Sequence, residues 1–157
     1  TASQTWIPEF ISIPAIQVRA PIVPVAHTEI EYKRQIFQQW QAPNSYAAGW
    51  HNTSAPLGVP GNTVLNGHNT TNGEVFRDLY TLAIGETITV YADDTPYAYA
   101  VSETLTLPEA DQPLEVRLEN ARYILPTGDE RLTLVTCHPY GSLRYRLIVI
   151  ARPAEDS

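Results

Sequence analysis

Residues 86–107, ETITVYADDTPYAYAVSETLTL, decide the fold class of this 157-residue chain. Apolar and polar side chains alternate on both sides of the DDTP turn, which is the pattern of a β-hairpin with one buried face. Two further alternating runs lie near the C-terminus, RLTLVTC (131–137) and YRLIVIA (145–151). Short strands separated by turns predict an all-β protein.

The chain upstream of the hairpin also favours short strands and loops. FISIPAIQVRAPIVPV (10–25) contains three prolines and predicts two edge-like strands, because proline cannot donate to a central ladder. In TEIEYKRQIFQQWQ (28–41) the large apolar residues are spaced loosely enough for one short helix. TVLNGH (63–68) is a strand candidate that follows a long loop rich in proline, glycine and asparagine (42–62). Seven or eight strands without repeats favour a closed or nearly closed β-barrel, or a sandwich.

Composition limits the function classes. The length predicts a single domain over 1–157, with flexible ends expected at 1–9 and 153–157. A net charge of −7 without a basic stripe argues against a nucleic-acid partner, and the single cysteine excludes an internal disulfide. No apolar run reaches transmembrane length. Because the sequence begins at Thr1 and contains no Met, we expect a trimmed or processed chain, which leaves open an N-terminal anchor or signal outside it.

The only cysteine, Cys137, ends an alternating strand. Side chains alternate between faces along a strand, so Cys137 shares a face with Thr133 and Val135. Leu132 and Leu134 form the other, better core face. Cys137 is therefore predicted to point away from the core, at a strand end, where a groove can lie.

Two other strand ends carry chemistry that complements a thiol. His68 shares its strand face with Val64 and Asn66, and Arg146 opens the last strand. A cationic neighbour favours the thiolate, and a histidine can protonate a leaving amine and deprotonate an incoming one. An arginine can hold a carbonyl oxygen as charge develops on it. Together these residues predict acyl transfer through a thioester.

The same residues also have simpler interpretations. A lone cysteine is more often structural, and a histidine or arginine at a strand end is usually only solvated. Zinc binding by Cys137, His138, His68 and His51 is the other functional alternative. It is disfavoured because Cys137 and His138 are adjacent on one strand and therefore face opposite ways, and because the chain has no C-x-x-C pair.

Five segments, in chain order, resemble the sortase family. They are IPAIQVRAPIVPV, GNTVLNGH, VFRDLYTLAIGETITV, LPTGDERLTLVTC and the arginine directly before LIVIA, and they span residues 10–152. The resemblance implies a closed eight-stranded sortase-type β-barrel with short helices in its loops. It also implies a membrane-anchored, extracytoplasmic cysteine transpeptidase of Gram-positive-type cell surfaces. The T-C-H-P segment is most similar to class E and class D sortases.

The resemblance assigns roles to individual residues. By motif, His68 matches the general acid/base, Cys137 the nucleophile and Arg146 the residue that binds the oxyanion and positions the substrate. Arg144 is a rival for the arginine role because it lies two residues earlier on the same face. The implied substrate groove comprises Val64, Asn66, Thr133, Val135 and His138. Asn66 departs from the family, which often has a small apolar residue at this position.

The resemblance also implies substrates and partners. Sortases cleave a C-terminal sorting signal similar to L-P-x-T-G between Thr and Gly, and class E-like enzymes prefer Ala at its second position. The acyl part passes to an amine, either of a cell-wall precursor or of a pilin lysine. The expected partners are therefore surface proteins or pilins that carry such a signal.

No cofactor is predicted, although some sortases bind calcium in their loops. The scattered acids Glu29, Glu31, Glu103 and Glu109 are more simply solvated charges. The alternative function is a non-catalytic cell-surface binding module on the same barrel. The intact set of His68, Cys137 and Arg146 favours the enzyme, because a decayed module should have lost at least one of them.

Overall fold

The computed structural model describes residues 7–32, 35–40, 46–67, 75–76, 78–108, 113, 115–116, 121–138 and 145–154. Within these residues lie ten strands: β1 (Phe10–Ile13), β2 (Val18–Val25), β3 (His27–Tyr32), β4 (Gln35–Trp40), β5 (Ala48–His51), β6 (Gly61–Asn66), β7 (Thr87–Ala92), β8 (Thr95–Pro108), β9 (Glu130–His138) and β10 (Tyr145–Pro153). Short 3₁₀ helices cover Pro14–Ile16, Leu79–Thr81 and Ala121–Ile124.

Eight of these strands close into a barrel in the order β1-β2-β5-β6-β9-β10-β8-β7. The pairs β2–β5 and β6–β9 are parallel, and the other neighbours are antiparallel. This arrangement confirms the predicted closed eight-stranded barrel with short helices in its loops. Closure gives every strand of the barrel two neighbours, which reduces the exposed edge that could pair with another sheet.

The hairpin predicted over 86–107 is present as β7 and β8. Ala92 pairs with Thr95, so Asp93 and Asp94 form a two-residue turn. Both have positive φ, 50° and 65°, as a type I′ turn requires, and Asp tolerates this region better than most residues. These two turn residues therefore fix the register of β7 with β8 in which the alternating apolar side chains share one face.

The helix predicted over residues 28–41 is wrong. β3 and β4 instead form a separate two-stranded antiparallel sheet, with Ile30 opposite Phe37. Ile30, Ile36, Phe37 and Trp40 fit a helix only loosely, whereas β-branched and aromatic residues favour strands. The stronger β preference of these residue types decides the outcome.

The prolines of β2 follow from the way its pairing changes along the strand. Residues 18–21 pair with β1 and residues 22–25 pair with β5. Each half of β2 thus has one unpaired side, where Pro21 and Pro24 need no N–H donor. The two predicted strands are present as β1 and β2, but neither is an edge strand, because each lies between two neighbours in the barrel.

The barrel interior holds the main hydrophobic core, to which all eight strands contribute. Alternate residues of β6, β9 and β10 face the opposite way and form a second buried cluster, the outer cluster. Its members are Val64, Val135, Ile148 and Ile150, with Leu105, Leu107, Tyr123 and Ile124 packed against them. The barrel wall is therefore buried on both faces where these strands meet.

Candidate active site

β9 and β10 place Cys137 directly opposite Arg146. The antiparallel register pairs these two residues, and the next pairs inward are Thr136 with Leu147 and Val135 with Ile148. Residues directly opposite each other in an antiparallel ladder lie on the same face, about 4.5–5.5 Å apart at Cβ. Two residues nine positions apart in sequence thus occupy adjacent positions on one face.

The predicted alternation of β9 is confirmed. Leu132 and Leu134 lie in the barrel interior, whereas Val135 lies in the outer cluster. Val64 of β6 and Ile148 of β10 lie in the same outer cluster. In the register of β9 with β10, positions 137 and 146 follow the pair Val135–Ile148 by two residues, at the end of the paired region.

β6 runs parallel to β9 and ends beside the same place. Asn66 pairs with Val135, and the Gly67 N–H donates to the Val135 carbonyl at 3.2 Å. The Thr136 hydroxyl donates to the Gly67 carbonyl at 2.8 Å and is buried. Thr136, directly before Cys137, is thus hydrogen-bonded to Gly67, directly before His68. His68 itself lies outside the described residues, as does Arg144.

The remaining predicted groove residues fall into two groups. Val64, Val135 and Thr133 are buried at the base of the outer face, and Thr133 donates to Asn62 Oδ1 at 2.6 Å. His138 is the last residue of β9, opposite Tyr145. Arg146 is half-buried. The structure brings Cys137, Arg146, Asn66 and Val135 into one region of the sheet.

Sequence reasoning missed the side-chain partner of Asn66. Its Nδ2 lies 3.0 Å from His51 Nε2, and both side chains are buried. β5 pairs with β6 through Gly49 opposite Asn66, which puts His51, two residues further on, on the same face. His51 entered the sequence analysis only as a zinc candidate. The signal that would have found this contact is the β5–β6 register, which sequence spacing does not give.

Asn62 anchors the segment that covers the outer face. Its Nδ2 donates to the carbonyls of Tyr123 and Leu125 at 2.9 and 3.0 Å, and its Oδ1 accepts from Thr133. Tyr123 and Ile124 thereby pack against the outer cluster. The buried Asn62 side chain thus bonds both to Thr133 of β9 and to the segment that covers the outer face.

The clearest pKa shifts lie away from this region. Hydrogen bonds from Arg131 hold the pKa of Asp129 well below its usual range, and Arg152 adds to the effect. Burial raises the pKa of the Tyr99 hydroxyl, and the Glu130 charge raises it further. These groups belong to the far ends of β8, β9 and β10, so they concern stability.

Other surfaces of the described residues offer little for chemistry. A shallow groove of about 810 Å³ lies on β1, β2 and β7, and its lining includes Phe10, Arg19 and Tyr91 but no predicted site residue. In the described ranges, no three His, Cys, Asp or Glu side chains are grouped as metal ligands would be. No helix within those ranges has the length and apolar character needed to cross a membrane.

Comparison with known proteins agrees with the fold. The model of a family described as "Sortase domain" matches residues 11–154. Among curated proteins, Sortase SrtE1 of Streptomyces coelicolor is 31% identical over 113 residues, which are 71% of this chain and 32% of that protein. The chain therefore spans about a third of the length of this curated relative.

Solved structures show the same architecture. Sortase C1 from Streptococcus agalactiae matches with a TM-score of 0.70 and 25% identity, over 95% of this chain and 68% of that one. Sortase E1 from Streptomyces coelicolor, solved with a tripeptide in its active site, matches with a TM-score of 0.67 over 96% of this chain and 90% of that one. The latter is 24% identical, and its likeness to this chain is one of fold.

Proposed function

The chain belongs to the sortase family, and on this premise we propose that it is a cysteine transpeptidase. Its substrate is a C-terminal sorting signal similar to L-P-x-T-G or L-A-x-T-G, cleaved between Thr and Gly. Cys137 is the nucleophile, His68 the general acid/base and Arg146 the oxyanion-binding residue. The alternative of a non-catalytic binding module retains the barrel but gives the thiol no role.

The observation that carries this proposal is the pairing of Cys137 with Arg146 across β9 and β10. A guanidinium beside the attacked carbonyl can donate to its oxygen as negative charge develops. The parallel register of β6 with β9 supports the role of His68: β6 ends at Asn66, opposite Val135, and His68 and Cys137 each follow two positions later in the sequence. Thr136 and Gly67, joined by a hydrogen bond, directly precede these two positions.

The first half-reaction forms a thioester. The Cys137 thiolate attacks the carbonyl carbon of the signal's Thr, and the oxygen takes up negative charge that Arg146 stabilises. The tetrahedral intermediate then collapses, the C–N bond to Gly breaks, and the His68 imidazolium gives its proton to the departing amine. The enzyme is left with the acyl part on sulfur and a neutral imidazole.

The second half-reaction transfers the acyl group. An incoming primary amine attacks the thioester carbonyl, and neutral His68 accepts the proton that the nitrogen loses. The C–S bond breaks, sulfur leaves as the thiolate, and a new amide is formed. The cycle thus restores the thiolate–imidazolium pair and consumes no cofactor.

The groove and the partners follow from this chemistry. Val64, Asn66, Thr133, Val135 and His138 border the groove that receives the signal peptide. The acceptor is an amine of a cell-wall precursor or a pilin lysine, and the donors are surface proteins or pilins. Sortases are in general associated with Gram-positive cell surfaces, so we place this domain outside the cytoplasm, held by an N-terminal membrane anchor.

The test is cleavage of a peptide library with variable signal positions. Wild-type enzyme is expected to cleave a Thr–Gly bond, and Cys137→Ala to abolish cleavage. Arg146→Lys should lower kcat/KM about 100- to 1000-fold, since an ammonium cannot reproduce the planar fork of donors. Arg19→Lys, at an exposed position of β2, is the matched control and should keep full activity. Full activity in Arg146→Lys would contradict the arginine assignment, and cleavage by Cys137→Ala would contradict the nucleophile.

A further inference from the structure

A buried histidine and a buried asparagine lie side by side next to the proposed site. The exposed fraction of His51 is 3% and that of Asn66 is 9%, and the nitrogen atoms Nδ2 and Nε2 are 3.0 Å apart. The neighbouring outer-face residues, Val64 and Val135, are apolar. Burial of two polar side chains in such surroundings is costly unless they are hydrogen-bonded, and an apolar pair would hold the strands together without that cost.

The contact between the two side chains suits one tautomer of the histidine. With Asn66 Nδ2 directed at the ring, a nitrogen that carries two hydrogens can only donate, so the bond forms when His51 Nε2 is the acceptor. A neutral imidazole that accepts at Nε2 carries its hydrogen on Nδ1. The bond also fixes the asparagine, because its Oδ1 must then be directed away from Nε2.

The backbone of His51 is held by separate hydrogen bonds from Ser54. The Ser54 N–H and hydroxyl both donate to the His51 carbonyl, at 2.8 and 2.7 Å. The same Ser54 hydroxyl accepts from the Val64 N–H of β6 at 3.1 Å. Ser54 therefore joins the end of β5 to the middle of β6. The backbone that carries the imidazole is thus held relative to β6, the strand of Asn66.

Asn66 lies on the strand next to that of the proposed nucleophile, Cys137. Asn66 is paired with Val135, so its Cα is about 8 Å from that of Cys137, given the usual spacings between and along strands. Asn66 also precedes the proposed acid/base position 68 by two residues on the same strand. A carboxamide fixed at this place can set the geometry of the end of β6.

We propose that His51 and Asn66 form a positioning couple for the acyl-transfer site, in which His51, as the Nδ1–H tautomer, fixes the Asn66 carboxamide and thereby the strand end that leads to His68. The proposal rests on the proposed function, adds His51 to it and gives Asn66 a positioning role. Neither residue touches the reacting atoms. Asn66 affects the reaction by fixing the end of β6, and His51 affects it by fixing Asn66.

The first test reads the tautomer in the wild-type protein. Imidazole ¹⁵N–¹³C correlation spectra at neutral pH are recorded for the four histidines, and the His51 signals are assigned with His51→Gln. Protonated Nδ1 and unprotonated Nε2 are expected for His51, and Asn66→Leu should remove this preference. A His51 protonated on Nε2 in the wild type would overturn the proposal, because the carboxamide would then face the other way.

The second test separates positioning from stability. His51→Leu and Asn66→Leu should lower kcat for signal-peptide cleavage about 10- to 100-fold, with KM changed less than about 3-fold, since small displacements of reacting groups have effects of this size. His51→Gln keeps an acceptor for Asn66 Nδ2 and should retain kcat within about 3-fold. Rates are normalised to the titratable thiol of folded enzyme. Wild-type kcat in folded His51→Leu, or equal losses in the Leu and Gln variants, would overturn the couple.

A third measurement needs no substrate and distinguishes failure of the positioning couple from failure of the proposed function. Alkylation of Cys137 by iodoacetamide at neutral pH should slow in His51→Leu and Asn66→Leu but not in His51→Gln, because a displaced imidazole supports the thiolate less. Equal alkylation rates in all four proteins would refute the positioning role. If wild-type enzyme cleaves no signal peptide while these rates differ as expected, the proposed function fails and the couple stands.

Discussion

At the scale of the residue, Gly67 shows how tightly the approach to the proposed site is packed. A Cβ on Gly67 would lie 2.5 Å from Val75 Cγ1 and 2.8 Å from Phe76 Cδ2, and both of those side chains are buried. Gly67→Ala must therefore displace residues 75–76 or the end of β6. We expect the free energy of unfolding to fall by about 1–3 kcal/mol, the range for overpacking a core. Urea denaturation measures this loss.

Gly128→Ala is the matched control for that substitution. No atom lies within 4 Å of the Cβ that alanine would add at this position. Its unfolding midpoint should therefore stay close to that of the wild type. Since Gly67 directly precedes His68, Gly67→Ala should also lower kcat/KM, whereas Gly128→Ala should not. Equal stability of the two variants would contradict the packing argument.

Residue-level prediction from the sequence succeeded where geometry is local. Cys137 and Arg146 belong to consecutive strands, so alternation and a short connection were enough to bring them together. The contact between His51 and Asn66 spans 15 positions and depends on the register of β5 with β6. No local pattern encodes that register, because it is set by the closure of the whole barrel.

At the scale of the element, Asn62 controls how the segment around the 3₁₀ helix Ala121–Ile124 is held on the outer face. Asn62→Leu removes its bonds to two carbonyls and leaves the buried Thr133 hydroxyl without its acceptor. Each unsatisfied buried group costs about 1–3 kcal/mol, so we expect a total loss of about 2–4 kcal/mol. Urea denaturation reports this loss, and hydrogen exchange of the amides at 122–125 shows whether the segment is released.

Thr104→Ala, an exposed change on β8, provides the comparison for Asn62→Leu. Surface substitutions of this kind usually change stability by less than about 0.5 kcal/mol, and exchange at 122–125 should stay as in the wild type. If exchange at 122–125 were the same in Asn62→Leu as in wild type, the anchoring role would be refuted.

Secondary-structure elements could be predicted where the apolar residues of the sequence follow a single clear period. The hairpin of β7 and β8 has both a strict alternation and a turn that accepts positive φ at Asp93 and Asp94. The β3–β4 hairpin has no such turn signal, and its apolar residues fit the helical and the strand period about equally. Where two periods compete, the β preference of β-branched and aromatic residues is the better guide, as it is for β3 and β4.

At the scale of the whole molecule, an ion cluster joins the start of β9 to the end of β10. Asp129 accepts hydrogen bonds from Arg131 at 2.9 and 3.0 Å and from Arg152 at 2.5 Å. These bonds hold the pKa of Asp129 below its usual 3.8 in the folded state. Their stabilisation is therefore present above about pH 4 and is lost as the pH falls toward the lower folded value.

Asp129→Asn should accordingly lower the urea midpoint at pH 7, and the difference from wild type should shrink as the pH falls below 4. The effect at pH 7 should be small and weaker at high salt, because the carboxylate is exposed. A difference between the two proteins that stays constant from pH 2 to pH 7 would contradict the electrostatic account.

The overall architecture was predictable only in part from patterns. Short strands, many prolines and tight turns favour an all-β fold, but they do not distinguish a barrel from a sandwich. The resemblance to sortases supplied that distinction, and the closed strand order confirms it. Strand order depends on which distant strands pair, such as β6 with β9 across more than sixty residues.

Intact-protein mass spectrometry can detect the proposed acyl intermediate on Cys137. Wild-type protein is mixed with a peptide containing the preferred signal and quenched in acid before an acceptor amine is added. We expect an adduct with the mass of the peptide up to Thr, located on Cys137, released by hydroxylamine and absent in Cys137→Ala. Cleavage of the signal without such an adduct, or an adduct on another residue, would contradict it.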